Sequence, residues 1–331
     1  MNIKLLLKSF LVTILSVLVC FFFIEIFLRF FGYKPWKSGE IQSHNIYRED
    51  KTKGWLSQQG DYEIVASKTY SKKSKISILE DGSRLTGNIN DNEKKIIFIG
   101  GSFTQGWGVD DNETFSYLIQ NQLKDYKIKN FGQGGYSGLQ SLLLLDEILK
   151  TNLNTVIVVY GFIEHHEYRN VARGSWLELL LKHSNTSHQS TPKIPYATIN
   201  KDGNLIIHKP IGYLKLPLRE HLSTMVFLEK SYMSLKTRKR KKIQKEVVKK
   251  IAFEMKKISN LNNSKFVFLN LNSDLSPYKD FLTKNNILHS DCNLKLSEEY
   301  LIPGDYHPNK KGHSYFSSCI MNYLKETKLL F

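Results

Sequence analysis

Two short stretches of the chain hold residue types that can carry out acyl chemistry. The first is Ile99-Gly100-Gly101-Ser102-Phe103-Thr104-Gln105-Gly106. A serine directly after an apolar run, at a glycine turn, is held at the rim of a sheet. The backbone N–H groups that open the next helix then face the space where an oxyanion would form. Taken alone, the stretch also fits a structural turn or a phosphate-cradling loop. It has neither the Gly-x-x-x-x-Gly-Lys pattern of a P-loop nor a Gly-x-Ser-x-Gly elbow. The second stretch is Asp305-Tyr306-His307-Pro308-Asn309, followed by Gly312-His313. Pro308 suits the first position of a closing helix, which sets His307 at the helix entrance. Asp305, two residues earlier on the same side of an extended segment, reaches the ring and fixes the tautomer that leaves the other nitrogen as a base. Alone, this pattern also fits a helix cap beside a surface histidine. A third cluster, Glu164-His165-His166-Glu167 with Arg169 and Asn170 a turn on, lacks the His-Glu-x-x-His spacing of a helical zinc site. No metal or cofactor is expected; His165, His166, Arg169 and Asn170 are auxiliary or substrate-contacting candidates, or polar residues bonding around the crevice.

The elements around these stretches predict a parallel sheet. Apolar runs at 96–99, 127–131, 155–160 and 265–271, with a weaker one at 286–289, read as strands. Helical patterns at 114–124 and 138–150, and a helix after Pro308, alternate with them. Continuously apolar strands between helices imply a flavodoxin-like three-layer α/β/α fold with five parallel strands. In such sheets ligands bind beyond the carboxyl ends of the strands. Each glycine-rich strand end, at Gly100, Gly132 and Gly161, therefore points at one crevice.

Serine after the first strand and Asp-x-His-Pro-Asn before the last helix is an end-to-end layout that resembles the SGNH/GDSL hydrolases over residues 94–325. Gly100-Gly101-Ser102-Phe103-Thr104 is similar to their nucleophile block, with Gly101 where aspartate is more usual. Asn130-Phe131-Gly132-Gln133-Gly134-Gly135-Tyr136 is similar to their second block. The resemblance implies a catalytic set of Ser102, Asp305 and His307, with an oxyanion hole at Ser102 and Gly135. It also shows departures. The acid usually stands three residues before the histidine, where this chain has Gly304. The third block usually carries an asparagine donor, where this chain has Ile163. The implied function is ester hydrolysis, expected on a carbohydrate ester of a cell-surface polysaccharide, by analogy with anchored members of this layout. The alternatives are an O-acyltransferase using the same site, a catalytically weak or inactive polysaccharide-binding protein, and a lipid esterase.

The rest of the chain sets the context. Residues 9–24 carry no charge, and the apolar run continues to Phe31, interrupted by Glu25 and Arg29. That is long enough to cross a bilayer. With no small-x-small site after it, an uncleaved anchor at 9–31 is favoured over a signal peptide. A cytoplasmic tail of 1–8 and an extracytoplasmic domain follow. Residues 32–93 read as an irregular approach segment and 94–331 as the main domain. The interval 171–240 breaks the strand–helix rhythm and reads as an insertion over the crevice, with a hairpin turning at Asp202-Gly203. The net charge of +16 over 331 residues is concentrated in Lys236–Lys257. There Ile243, Val247, Ile251, Met255 and Ile258 recur at helical spacing, so an amphipathic helix with a solvated or lipid-facing basic side is expected, and no nucleic-acid partner. Cys292 and Cys319 are able to pair in an oxidising compartment.

Overall fold

The computed structural model describes residues 3–38, 46–67, 69–87, 94–183, 192–295 and 297–330. In chain order these form α1 (Ile3–Phe30), two hairpins of β1 (Tyr47–Asp50) with β2 (Gly54–Ser57) and β3 (Gly60–Ser67) with β4 (Tyr70–Ile78), then β5 (Lys95–Gly100), α2 (Ser102–Gln105), α3 (Phe115–Gln122), β6 (Lys127–Asn130), α4 (Gly138–Thr151), β7 (Thr155–Ile163) and α5 (His165–Asn170). There follow α6 (Gly174–Lys182), a third hairpin of β8 (Ile194–Ile199) and β9 (Leu205–Ile211), α7 (Ser223–Lys242), α8 (Gln244–Leu261), β10 (Lys265–Asn272), α9 (Ser276–Lys284), β11 (Leu288–Asp291) and α10 (Lys310–Glu326). They divide into two compact units. The smaller holds Met1–Ser43, Arg173–Pro192 and Gly212–Arg238; the larger holds His44–Ala172, Lys193–Ile211 and Lys239–Phe331.

The larger unit is an α/β fold on a five-stranded sheet of order β11-β10-β7-β5-β6, every neighbouring pair parallel. Renumbered along the chain this is 2-1-3-4-5, the flavodoxin-like order, with its switch point between β5 and β7. The strands are apolar on both faces because both are covered. Ile97, Ile99, Val158, Tyr160, Phe266 and Phe268 pack in one core with residues of α4, α8 and α9. Ile96, Phe98, Ile157, Val159, Val267 and Leu269 pack in the other with α3 and α10. Adjacent residues alternate between the two cores, as the two-residue period of a strand requires. Truncating one fully buried side chain here, such as Phe268, costs about 3–5 kcal/mol. A disulfide between Cys292 and Cys319 ties the segment after β11 to α10.

Several elements differ from the sequence expectation. Residues 32–93 are not irregular: from Tyr47 to Ile78 they form two antiparallel hairpins belonging to the larger unit. Their strands are largely polar and half-exposed, so apolar runs do not reveal them. The interval 171–240 is not one insertion. Its hairpin, β8–β9, packs in the larger unit against α4, α5 and α8, while Arg173–Pro192 and Gly212–Arg238 group with α1; residues 184–191 of its polar stretch lie outside the described residues. The basic run is two helices meeting at Ile243. The first helix begins at Ile3, within the stretch read as a tail.

Candidate active site

Ser102 follows β5 as the first residue of the single-turn helix α2. Gly101 is its N-cap, and Gly106, at φ +84°, ends it. The turn is held by bonds from Gln105 N–H to Gly101 carbonyl (2.9 Å) and from Gly106 N–H to Ser102 carbonyl (2.9 Å). At the other end of the domain, Asn309 caps α10, its side chain accepting from the N–H groups of Lys311 and Gly312. Pro308 therefore precedes the cap instead of opening the helix. The loop before it closes through Ile302 N–H to His307 carbonyl (2.9 Å) and Asp305 N–H to Ile302 carbonyl (3.0 Å).

These two loops bring the expected residues together. Ser102 Oγ lies 2.7 Å from His307 Nε2, and His307 Nδ1 lies 2.5 Å from Asp305 Oδ1. The same carboxylate oxygen accepts the His307 backbone N–H at 3.2 Å. Asp305 thus reaches the ring through a tight turn, not along an extended segment. With the Nδ1 proton donated to Asp305, Nε2 is left to accept from the serine. The ring of His307 lies against Phe103 and Trp107.

Residues 130–136 lie directly on the Ser102 turn. Gln133 N–H bonds to Gly100 carbonyl at 3.0 Å. A Cβ on Gly132 would stand 2.3 Å from Gln105 N, so only glycine permits that approach. Gly135 has φ +77°, a conformation that also favours glycine. Asn130 ties the layers: its amide donates to Thr104 carbonyl (2.8 Å) and its Oδ1 accepts from Gly132 N–H (2.9 Å).

The comparisons with known proteins stand beside this geometry. No family model matches the chain, and no curated protein matches it. Among solved structures it is similar to a lipolytic G-D-S-L family protein from Veillonella parvula (11% identity, 69% of this chain and 97% of that one, TM-score 0.39). It is also similar to TesA (11%, 72% and 100%, TM-score 0.41) and to the psychrotrophic esterase EstA from Pseudoalteromonas sp. (12%, 70% and 97%, TM-score 0.40). At such scores the likeness carries no argument about activity.

Packing accounts for two of the departures from the G-D-S-L pattern. Gly304 has φ +70°, and a Cβ there would lie 1.9 Å from Thr69 Oγ1. The left-handed backbone and the hydroxyls of Ser67 and Thr69 favour glycine at that position, and Asp305 carries the carboxylate. A Cβ on Gly101 would lie 2.8 Å from His166 Nε2, so the histidine occupies the room an aspartate would need. Ile163, where the resemblance puts the asparagine donor, is buried in the apolar core over α3 and α10.

The auxiliary candidates separate. His166 is fully buried, its Nδ1 2.7 Å from Tyr160 hydroxyl, and burial followed by the charges of Arg169 and His165 holds it well below the ordinary histidine range. Asn170 is buried and accepts from Leu139 N–H at 2.8 Å, fixing the start of α4. Arg169 is buried and donates to Tyr136 carbonyl at 3.2 Å. His165 is a surface residue whose Nδ1 lies 3.5 Å from Arg169 in a part-buried contact; desolvation of the ring there, then Arg169 and His307, lower it to about 4. Glu167 points away, accepting from Tyr278 hydroxyl and Gln244 amide.

Sequence reasoning missed the support supplied by β2 and by Arg84, which follows β4. Arg84 is buried and paired with Asp111 at 2.7 Å. It donates to Gln105 carbonyl (3.0 Å), Gly106 carbonyl and Val109 carbonyl (2.7 Å), gripping the end of the Ser102 turn. Trp55 Nε1–H donates to Gly134 carbonyl (2.9 Å), and Ser57 donates to Gln133 from both N–H and hydroxyl (2.8 Å each). No local motif marks these residues; an arginine and a tryptophan amid polar sequence are the only hints.

Proposed function

We propose that the chain is a membrane-anchored serine ester hydrolase of the SGNH/GDSL type. The observation that carries this reading is the unbroken relay from Ser102 Oγ through His307 to Asp305, with links of 2.7 and 2.5 Å. His307 Nε2 takes the hydroxyl proton as Ser102 Oγ bonds to the ester carbonyl carbon. Backbone N–H groups at Ser102 and Gly135 receive the oxyanion. His307 then protonates the departing alkoxide, and water, activated by the same nitrogen, releases the acid and restores Ser102. A sugar hydroxyl in place of water makes the same site an O-acyltransferase. Asp305 orients the ring throughout.

A carbohydrate ester, acetyl in the first instance, is the substrate class we favour. Tyr306 is 79% exposed beside His307, and half-buried Trp107 lies 6.4 Å from it, ring to ring. Aromatic faces of this kind suit the C–H faces of a sugar. The anchor reading is supported by α1, long and apolar enough to cross a membrane. An extracytoplasmic domain is supported by the Cys292–Cys319 disulfide.

Ile163 favours a second reading, a polysaccharide-binding protein without turnover. Labelling of the full chain in detergent with a fluorophosphonate probe, beside Ser102→Ala and His307→Ala, separates the two. Labelling of the wild type alone supports an activated serine. No labelling of the folded wild type overturns the esterase reading in favour of the binding one.

A further inference from the structure

The smaller unit carries an apolar surface that the catalytic reading does not use. It starts from a charged residue inside an apolar helix. Glu25 is buried, and its carboxylate accepts from Ser223 N–H (2.8 Å), Thr224 N–H (2.7 Å) and Thr224 hydroxyl (2.5 Å). One turn on, Arg29 donates to His221 carbonyl at 3.0 Å. The first N–H groups of α7 have no partners within their own helix, so Glu25 of α1 acts as their cap. The contact continues beyond α1. Tyr33 meets Phe227 edge-on at 5.1 Å, and Trp36 lies buried under Arg219, 3.6 Å from its ring.

This places the start of α7 at a definite depth. The 28 residues of α1 span about 42 Å, against a hydrocarbon layer of about 30 Å. Glu25 stands five residues before the helix end, at headgroup level once the preceding apolar turns are in the bilayer. From there one face of α7, with Val226, Glu229, Met233 and Thr237, is buried. The opposite face exposes Leu228, Tyr232 and Leu235, spaced i, i+4, i+7 on a single stripe, with Leu235 70% exposed. Leu218, in the turn just before the helix, is 61% exposed at φ +60°. A helix facing water carries polar residues at such positions. Exposed Lys34, Lys37, Lys215, Lys236 and Arg238 lie along the same segments, a basic complement to anionic headgroups.

We propose that the exposed face of α7 lies on the leaflet in which α1 ends, with Leu228, Tyr232 and Leu235 set among the headgroups and the basic residues against anionic lipid. The proposal rests on the anchor reading of α1, not on the esterase reading. The test is spin-label accessibility of the full chain in phosphatidylglycerol/phosphatidylcholine nanodiscs. Single labels are placed at Val17→Cys and Leu235→Cys in a Cys20→Ser background. Both sites should be more accessible to oxygen than to a polar nickel reagent, position 17 more so. Replacing phosphatidylglycerol with phosphatidylcholine should raise nickel access at 235 by about twofold or more. Nickel access at 235 with 17 embedded overturns the proposal and leaves the anchor intact. Nickel access at both positions overturns the anchor and the proposal together. Spin–spin broadening at 235 without an oxygen gain overturns it in favour of a second copy on this face. Equal nickel access at 235 in both lipids removes the anionic preference.

Discussion

The proton-transfer side and the oxyanion side of the candidate site are built by different means. On the first, three side chains from two loops meet at 2.5 and 2.7 Å, each loop closed by its own backbone bonds. On the second, the proposed donors are backbone N–H groups, and the position where the family resemblance leads one to expect a donor side chain is Ile163, in the core. Nucleophile activation needs particular side chains. Oxyanion stabilisation is met by any well-aimed N–H. A site can therefore keep the first set and vary in the second at a cost in rate, on the order of 100-fold for one donor lost without a substitute.

The largest effect should come from breaking the relay. Ser102→Ala or His307→Ala should each lower kcat by roughly 10⁴-fold or more, the size seen when a serine–histidine pair is disrupted. Ester turnover by the purified full chain reads this, with thermal unfolding as the check on fold. Asp305→Asn should be milder by about 100-fold, since the carboxylate orients the ring and is not the base. A larger loss for Asp305→Asn than for His307→Ala would reverse the assigned roles.

Restoring the family side chain tests the other half. If Ile163 merely replaced a donor facing the crevice, Ile163→Asn would raise activity. Its side chain instead packs with Phe103, Leu271 and their neighbours in the core. The substitution should lower stability by about 2–4 kcal/mol and leave kcat no higher, because an amide buried in apolar surroundings finds no partners. Urea unfolding beside turnover measures both. A gain in kcat would place a donor at 163 inside the oxyanion hole and undo the contrast.

The legible parts of this molecule are those in which side-chain type and period coincide with burial. Strands such as Ile96–Ile99 are apolar on both faces, so the sheet and its layers could be read directly, and Ser102 and Asp305–His307 could be placed at its rim. The second antiparallel hairpin pair, Gly60–Ile78, could not, because its strands are half-exposed and rich in lysine and serine. Arg84 was illegible for a different reason: its role is to bond carbonyls of residues 105, 106 and 109, and carbonyls carry no sequence signature. The reasons for glycine at 101 and 304 lie in His166 and Thr69, distant in the chain, and only the folded backbone exhibits them.

The smallest effect concerns stability beneath the same site. His313 is fully buried, and its Nδ1 accepts from Phe115 N–H at 3.3 Å. Burial first, then the charges of Arg84 and His307, push it down to about 3. An unfolded histidine takes its proton near pH 6.5, so between about 3 and 6.5 the unfolded chain binds a proton that the folded chain refuses. Stability from this residue is fully present above pH 6.5 and falls as pH drops through that window, by up to about 1.4 kcal/mol per pH unit. His166, held down in the same direction, adds to the slope. Between pH 6.5 and 5, urea unfolding should show the wild type losing stability more steeply than His313→Gln, by about 2 kcal/mol over the interval. Equal slopes would mean that His313 takes up its proton in the folded protein and that the bond from Phe115 gives way first.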